Sequence, residues 1–300
     1  MTHRFSHLTW IQLVTAVGLS GLLTVPRDGI AQGVEDNHWR LELKMVGRYN
    51  PVGIALRPAL GYRVPLSQSD HVLLKGTHIE AGFLGATSPA AFNPGAYLSV
   101  VPIAPLVFRV RVQQLRYFGA FGNLSSFEDE NPNWSDDVRD TDLSSGRHGT
   151  AMRAEASAQF RAYLKGVAAV AQYSIGLYQA DVPLGRTWYE PSDDLLLHRT
   201  DHVHRAHSLL GWYAYGSPFS AEHLMLGGLW QGHWVERADY SRHIGGMVIG
   251  YRPGWMKARK LTALLLAARY LQDPYRTDEL YIGTIVSMTW ERLSPAGEEP

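Results

Sequence analysis

"TAMRAEASAQFRAYLKGVAAVAQYSIGLY", residues 150–178, decides the fold. Read in twos, Met152, Ala154, Ala156, Ala158, Phe160, Ala162 and Leu164 are apolar, while Arg153, Glu155, Ser157, Gln159, Arg161 and Lys165 fall between them. Successive side chains of a strand point to opposite faces, so this segment carries one apolar and one charged face. A helix would set Arg153 and Glu155 about 200° apart and leave no continuous apolar stripe. After the short "LKG" the alternation resumes, with Val167, Ala169, Ala171, Tyr173, Ile175 and Leu177 in one phase. The pattern predicts a hairpin of two unusually long strands.

The same period recurs along the chain. Trp39–Met45, Gly53–Val64, Val72–Leu84, Gly95–Val101 and Leu106–Tyr117 precede the hairpin. Val203–Tyr215, Glu222–Val235, His243–Arg252, Leu261–Leu271 and Leu280–Trp290 follow it, which makes twelve segments in all. The stretch "LTALLLAARYL" fits a helix equally well by periodicity. The connections alternate in length. The two longest, near 119–149 and 179–202, are both odd-numbered in order, and the tightest, such as "PIAP" and "KG", are even-numbered. A transmembrane β-barrel has this asymmetry, with short turns at one end and long loops at the other.

The ends and the composition agree with export. Arg4 precedes an apolar run, Leu8–Val25, and "GIA" at 29–31 supplies small residues ahead of a cleavage site, so residues 1–31 are expected to be a signal peptide. The barrel is expected over 32–292, followed by a short polar tail, 293–300. Beyond Ala31 no stretch is apolar and long enough for a spanning helix, which needs about 20 residues. The 300-residue chain has no cysteine and zero formal net charge, which excludes disulfides and thiol chemistry and gives no bulk attraction to nucleic acid. Aromatics near segment ends (Trp39, Tyr62, Tyr97, Tyr117, Trp212, Tyr213, Tyr215, Trp234, Tyr251, Trp255, Trp290) suit interfacial girdles.

On these features the chain resembles bacterial outer-membrane β-barrels as a class. Its last segment, "LYIGTIVSMTW", looks like the C-terminal assembly signal of such proteins, with Gly283, alternating Ile282, Val286 and Met288, and Trp290. It departs from them in continuing for ten residues past that aromatic. The resemblance implies an all-β, antiparallel up-and-down transmembrane barrel of about twelve strands in the outer membrane, porin-like, with membrane lipid and lipopolysaccharide as its surroundings. The competing fold is a secreted water-soluble β-sandwich or lipocalin-like barrel, whose apolar phase would turn inward.

The polar phase supplies the candidate site. Arg40, Lys44, Arg57, Arg63, Arg109, Arg111, Arg153 and Arg161 share it with Glu42, Glu80 and Glu155, eight basic residues against three acidic. If they line a lumen, its field is positive, and arginine offers paired donors to carboxylate or phosphate. The expected function is a channel for passive diffusion of small polar, preferably anionic, solutes; the bland alternative is a plugged interior in which these charges satisfy one another. The acidic stretch with Glu128, Asp129, Glu130, Asp136, Asp137, Asp140 and Asp142 reads as a solvated loop, as a bridge for divalent cations, or as an inward constriction. His198, Asp201, His202, His204 and His207 form a cluster in which His202 and His204 share a face; a polar lining is expected there, with a metal site as the alternative.

Two other functional classes remain open. A structural or adhesive barrel would act through its long loops. An outer-membrane lipid hydrolase needs an activated nucleophile, yet no His-x-Ser triplet occurs, and adjacent His207 and Ser208 would face opposite ways. Asp36, Asn37 and the histidines are the remaining candidates for calcium-dependent deacylation. No catalytic residue and no cofactor is expected, no partner beyond membrane lipid and small solutes is assigned, and no nucleic-acid motif is present.

Overall fold

All twelve segments form strands in the computed structural model, which describes residues 37–50, 53–118, 126–129, 132–134, 149–181, 187–218, 220–256 and 260–291. The expected signal peptide and the polar tail lie outside the described residues. In chain order the strands are β1 His38–Tyr49, β2 Gly53–Pro65, β3 His78–Leu84, β4 Gly95–Ile103, β5 Leu106–Tyr117 and β6 Gly149–Leu164. They continue with β7 Val167–Asp181, β8 Thr200–Tyr215, β9 His223–Val235, β10 Tyr240–Arg252, β11 Lys260–Gln272 and β12 Leu280–Glu291. Each pairs antiparallel with the next, and β12 closes on β1, with Arg40 opposite Glu291 and Tyr49 opposite Ile282. The result is a closed twelve-stranded barrel with no free edge. The stretch "LTALLLAARYL" is strand, not helix.

The β6–β7 hairpin turns through Lys165 and Gly166, at φ 46° and 85°. Positive φ at both central residues marks the primed turns whose twist suits paired strands. One expected segment is shorter than its pattern: β3 begins at His78, because 71–76 form a tight turn in which the amides of Leu74 and Lys75 donate to the His71 carbonyl. The connection 66–77 is therefore longer than read, and the length asymmetry rests on the two long connections at the opposite end, 118–148 and 182–199. That end is called the upper end below.

The apolar phase faces out. Met152, Phe160, Val110, Phe108, Leu98, Leu60, Leu210 and Leu265 are all exposed on the outer wall. A soluble barrel of the lipocalin kind would hide them. Trp39 and Tyr62, opposite each other in register and 5.1 Å apart, form part of the lower outer rim with Trp212 and Tyr215. Three of the expected girdle aromatics are instead turned inward and buried, namely Tyr97, Tyr117 and Tyr213.

The inner wall has two unlike halves. Along β1–β6 it carries the charged phase. Along β7–β12 its lower part is apolar: Val170, Leu209, Met225, Leu229, Val248, Leu266 and Ile285 pack into one core with Val46 of β1. A second cluster fills the upper end, where Trp188, Tyr189, Leu195, Leu196 and Leu197 pack against Leu115, Tyr117, Tyr178 and Val203. Those five residues belong to a small hairpin, Thr187–Glu190 paired with Leu195–His198, that leaves the β7–β8 connection and enters the barrel, with Ser126–Phe127 as a third strand. The interior is a packed core with a polar lane, not an open pore.

Candidate functional site

The polar lane is a cavity of about 140 Å³ against the β1–β6 wall. Nine of the eleven residues expected to line a lumen border it: Arg40, Lys44, Arg57, Arg109, Arg111, Arg153, Arg161, Glu42 and Glu155. The other two, Arg63 and Glu80, also point inward but pair with each other lower down, where Arg63 Nε and Nη2 donate to Glu80 at 3.1 and 2.9 Å. Glu80 accepts from Tyr97 as well, at 2.6 Å, and lies 3.4 Å from Arg40. Gly61 makes room for this knot, since a Cβ there would come within 2.3 Å of the Tyr97 hydroxyl. Replacing Glu80 with glutamine leaves Arg63 buried without its counter-charge, so a loss of about 3 kcal/mol is expected in urea unfolding from lipid vesicles.

Register explains why these side chains meet. Arg111 is opposite Glu155 and Gln113 is opposite Arg153 in the β5–β6 ladder, so a one-residue slip would send every charge to the outer wall. Arg111 donates to Glu155 at 2.8 Å, and Arg205 of β8 reaches the same oxygen at 2.8 Å. Glu42 holds Lys44 at 2.8 Å and Arg40 at 3.3 Å. Arg109 stands over the Tyr97 ring, 5.2 Å from its centroid. Seven cations and two carboxylates border the cavity, so its field is positive.

The inserted hairpin closes the upper end of this lane with its own acids. Asp193 accepts from Arg153 at 2.8 Å, from Arg205 at 2.5 Å and from the Tyr178 hydroxyl. Asp194 accepts from Arg242 at 2.7 Å and from Arg276 at 2.5 Å, and Tyr189 donates to its second oxygen. Arg48 donates to the Pro191 carbonyl at 2.7 Å. Glu190 bends the tip, accepting from Tyr117 at 2.6 Å and from the amides of Ser192 and Asp193. Asp194 itself sits at φ 56°, which the tight tip requires. In the sequence this stretch reads only as a long connection. Its one signal was "EPSDD" beside an apolar triplet, "LLL".

Burial alone would raise the Asp193 carboxyl, but Arg205 and Arg153 outweigh it and hold it well below the ordinary carboxylate range. Glu190 is pushed upward, by burial first and by Asp193 next. The signs give a pH prediction. A depressed Asp193 contributes its full stabilisation above about pH 4, the unfolded value, and loses it only as pH falls through the lower folded value. A raised Glu190 favours the docked hairpin more as it takes up a proton. Acidification from pH 7 to 5 is therefore expected to leave the hairpin docked, checked as unchanged protease resistance of 187–198.

The other expected features fall differently. Glu128 and Asp129 are exposed at the upper rim, where the Asp129 carbonyl accepts from Thr187 at 2.9 Å. Glu130, Asp136, Asp137, Asp140 and Asp142 lie outside the described residues, as does Asp36; Asn37 is exposed. Among the described residues the acids that reach the upper lumen arginines come from 193–194 instead. The histidine cluster is split between faces. Asp201 is buried and accepts from the amides of His198, His202 and Arg237, while His207 points inward beside His233. His202 and His204 share a face, as their spacing predicts, and that face is the outer one, where both meet Glu236. Among the described residues no group of three or more His, Cys, Asp or Glu is arranged to hold a metal.

No family model matches the chain, and no curated protein matches it. Solved barrels resemble it in outline. The β domain of the Bordetella autotransporter BrkA is 13% identical, over 84% of this chain and 98% of that one, with a TM-score of 0.47. The translocator domain of the autotransporter NalP from Neisseria meningitidis is 11% identical, over 90% and 94%, with a TM-score of 0.43. The NanC porin is 11% identical, over 83% and 98%, with a TM-score of 0.39. At these values the likeness goes no further than barrel architecture.

Proposed function

We propose that this chain is an outer-membrane barrel with a narrow, gated passage for small polar solutes, preferably anions. The reading starts from the outer wall. Its apolar phase faces out around a closed sheet, and a closed sheet satisfies every strand hydrogen bond without water, which is what a hydrocarbon environment demands. The two long connections set the upper end toward the outside of the cell.

One observation carries the anion preference. The Asp193 carboxylate occupies the guanidinium of Arg153, which borders the cation-lined cavity, and that of Arg205, where it stands in for the carboxylate or phosphate of a solute. A tethered acid in that position closes the lane and neutralises it together. An incoming anion competes for the same guanidiniums, whose paired donors suit a carboxylate or phosphate.

The test is planar-bilayer recording of protein lacking 187–198, in a potassium chloride gradient. A reversal potential showing chloride more permeant than potassium is the expected result, and Arg109→Glu with Arg161→Glu should move it toward potassium. A potassium-selective or non-selective current in the parent deletion rejects the anion preference.

A further inference from the structure

Near the upper rim the outer wall carries a patch of bonded polar groups on β7, β8 and the β9–β10 turn. Across β7, β8 and β9 its rows read, going down, Ile175–His204–Trp234, then Tyr173–Ala206–Gly232, then Ala171–Ser208–Trp230. The Tyr173 hydroxyl is 2.5 Å from His204 Nδ1, and His204 Nε2 is 2.6 Å from Glu236 of the β9–β10 turn. His202 Nδ1 is 3.5 Å from the second Glu236 oxygen, and half of the Glu236 side chain remains open. Beside them Trp230 and Trp234 converge 6.0 Å apart, with His243 stacked on Trp230 at 5.6 Å. They converge over Gly232, where any Cβ would lie 2.6 Å from one indole and 2.9 Å from the other.

Directly below lies an open groove of about 520 Å³ in the outer wall, lined by Phe160, Ala171, Ser208, Leu210, Gly228 and Trp230. Small residues make its floor and aromatic rings its sides. Bonded polar groups above a chain-wide apolar trough fit one kind of occupant. We infer that this face binds a single acylated saccharide lipid of the outer leaflet, with its hydroxyls on Glu236 and His202, its sugar ring against Trp234 and His243, and one acyl chain in the groove. Four observations support that occupant. His204 lies four residues below the upper end of β8, at the depth where headgroups meet acyl chains. Indoles and tyrosines sit at that boundary because one end is apolar and the other wet. An open carboxylate accepts sugar hydroxyls and repels a phosphate, so the saccharide presents its hydroxyls to Glu236 with its phosphates turned away, which a lipid whose headgroup is a phosphodiester cannot do. Flat aromatic faces suit the apolar C–H faces of a sugar.

The inference rests on the membrane placement proposed above, and its test separates the two. The full chain is refolded into detergent, insertion is scored by heat-dependent electrophoretic migration, and native mass spectrometry counts bound lipid with purified lipid A or phosphatidylethanolamine. One lipid A per barrel is expected, preferred about tenfold over phosphatidylethanolamine, a ratio in keeping with a charge-assisted hydrogen bond. Glu236→Gln should remove most of that preference, and Gly228→Leu should cut occupancy by filling the groove, both with migration unchanged. Equal binding of the two lipids, or variants that bind like the parent, overturns the inference while leaving the membrane barrel intact. Free fatty acid released from lipid A and abolished by Tyr173→Phe also overturns it, since the site would then be hydrolytic. A barrel that never shows heat-dependent migration fails both readings.

Discussion

Replacing Asp193 and Asp194 together by asparagine is expected to raise bilayer conductance by about two orders of magnitude. Arg153 and Arg205 meet at Asp193, and Arg242 and Arg276 meet at Asp194, all buried. Asparagine keeps the shape but not the charge, so Arg242 and Arg276 lose the carboxylate they share, and Arg153 loses the one it shares with Arg205, which keeps only Glu155. Removing one partner of a buried pair costs roughly 3–5 kcal/mol, and about 2.8 kcal/mol already shifts a two-state population a hundredfold. Apolar contacts oppose release. Trp188, Leu195 and Leu197 are fully buried, each worth roughly 1.5–3 kcal/mol, so the hairpin is expected to open intermittently rather than leave for good. Excising 187–198 removes both terms and should give steady current. Silence in both variants would mean that the apolar fill along β7–β12 closes the barrel by itself.

What could be read in advance follows from where water and hydrocarbon impose a period. In β6, Arg153, Glu155, Ser157, Gln159 and Arg161 alternate with Met152, Ala154, Ala156, Ala158 and Phe160, so both the strand and its faces are legible. The nine cavity-lining residues followed from the same alternation, because register carries each of them to the wall that the pattern assigns. The period fades where both faces are apolar. In β11, Leu264 and Leu266 fill the interior while Leu265 faces out, so three successive leucines carry no face information. The inserted hairpin has no period either. Thr187 to Leu197 is buried on every side, because the barrel wall surrounds it, and a chain with one environment shows no alternation. The outward direction of His202 and His204 is not legible from period alone, because their partner Glu236 lies in the β9–β10 turn, far away in sequence and outside the wall.

The second large effect separates a barrel in lipid from the same barrel in water. Val110 is half exposed on the outer face of β5, between Arg109 and Arg111, which point inward. Val110→Arg should cost roughly 2–4 kcal/mol when folding is titrated in phospholipid vesicles, because a guanidinium near the bilayer midplane gives up its hydration. Were that wall bathed in water, the same change would stay within about 0.5 kcal/mol, as exposed substitutions do. Position decides the sign of the comparison. Leu164, at the lower end of β6 beside the Lys165 turn, is also exposed, yet its replacement by arginine should cost about 1 kcal/mol or less, since the charge reaches the interface. A depth-independent cost at the two sites would show that the apolar phase meets something other than a bilayer, and the passage, its gate and the lipid site would lose their common premise.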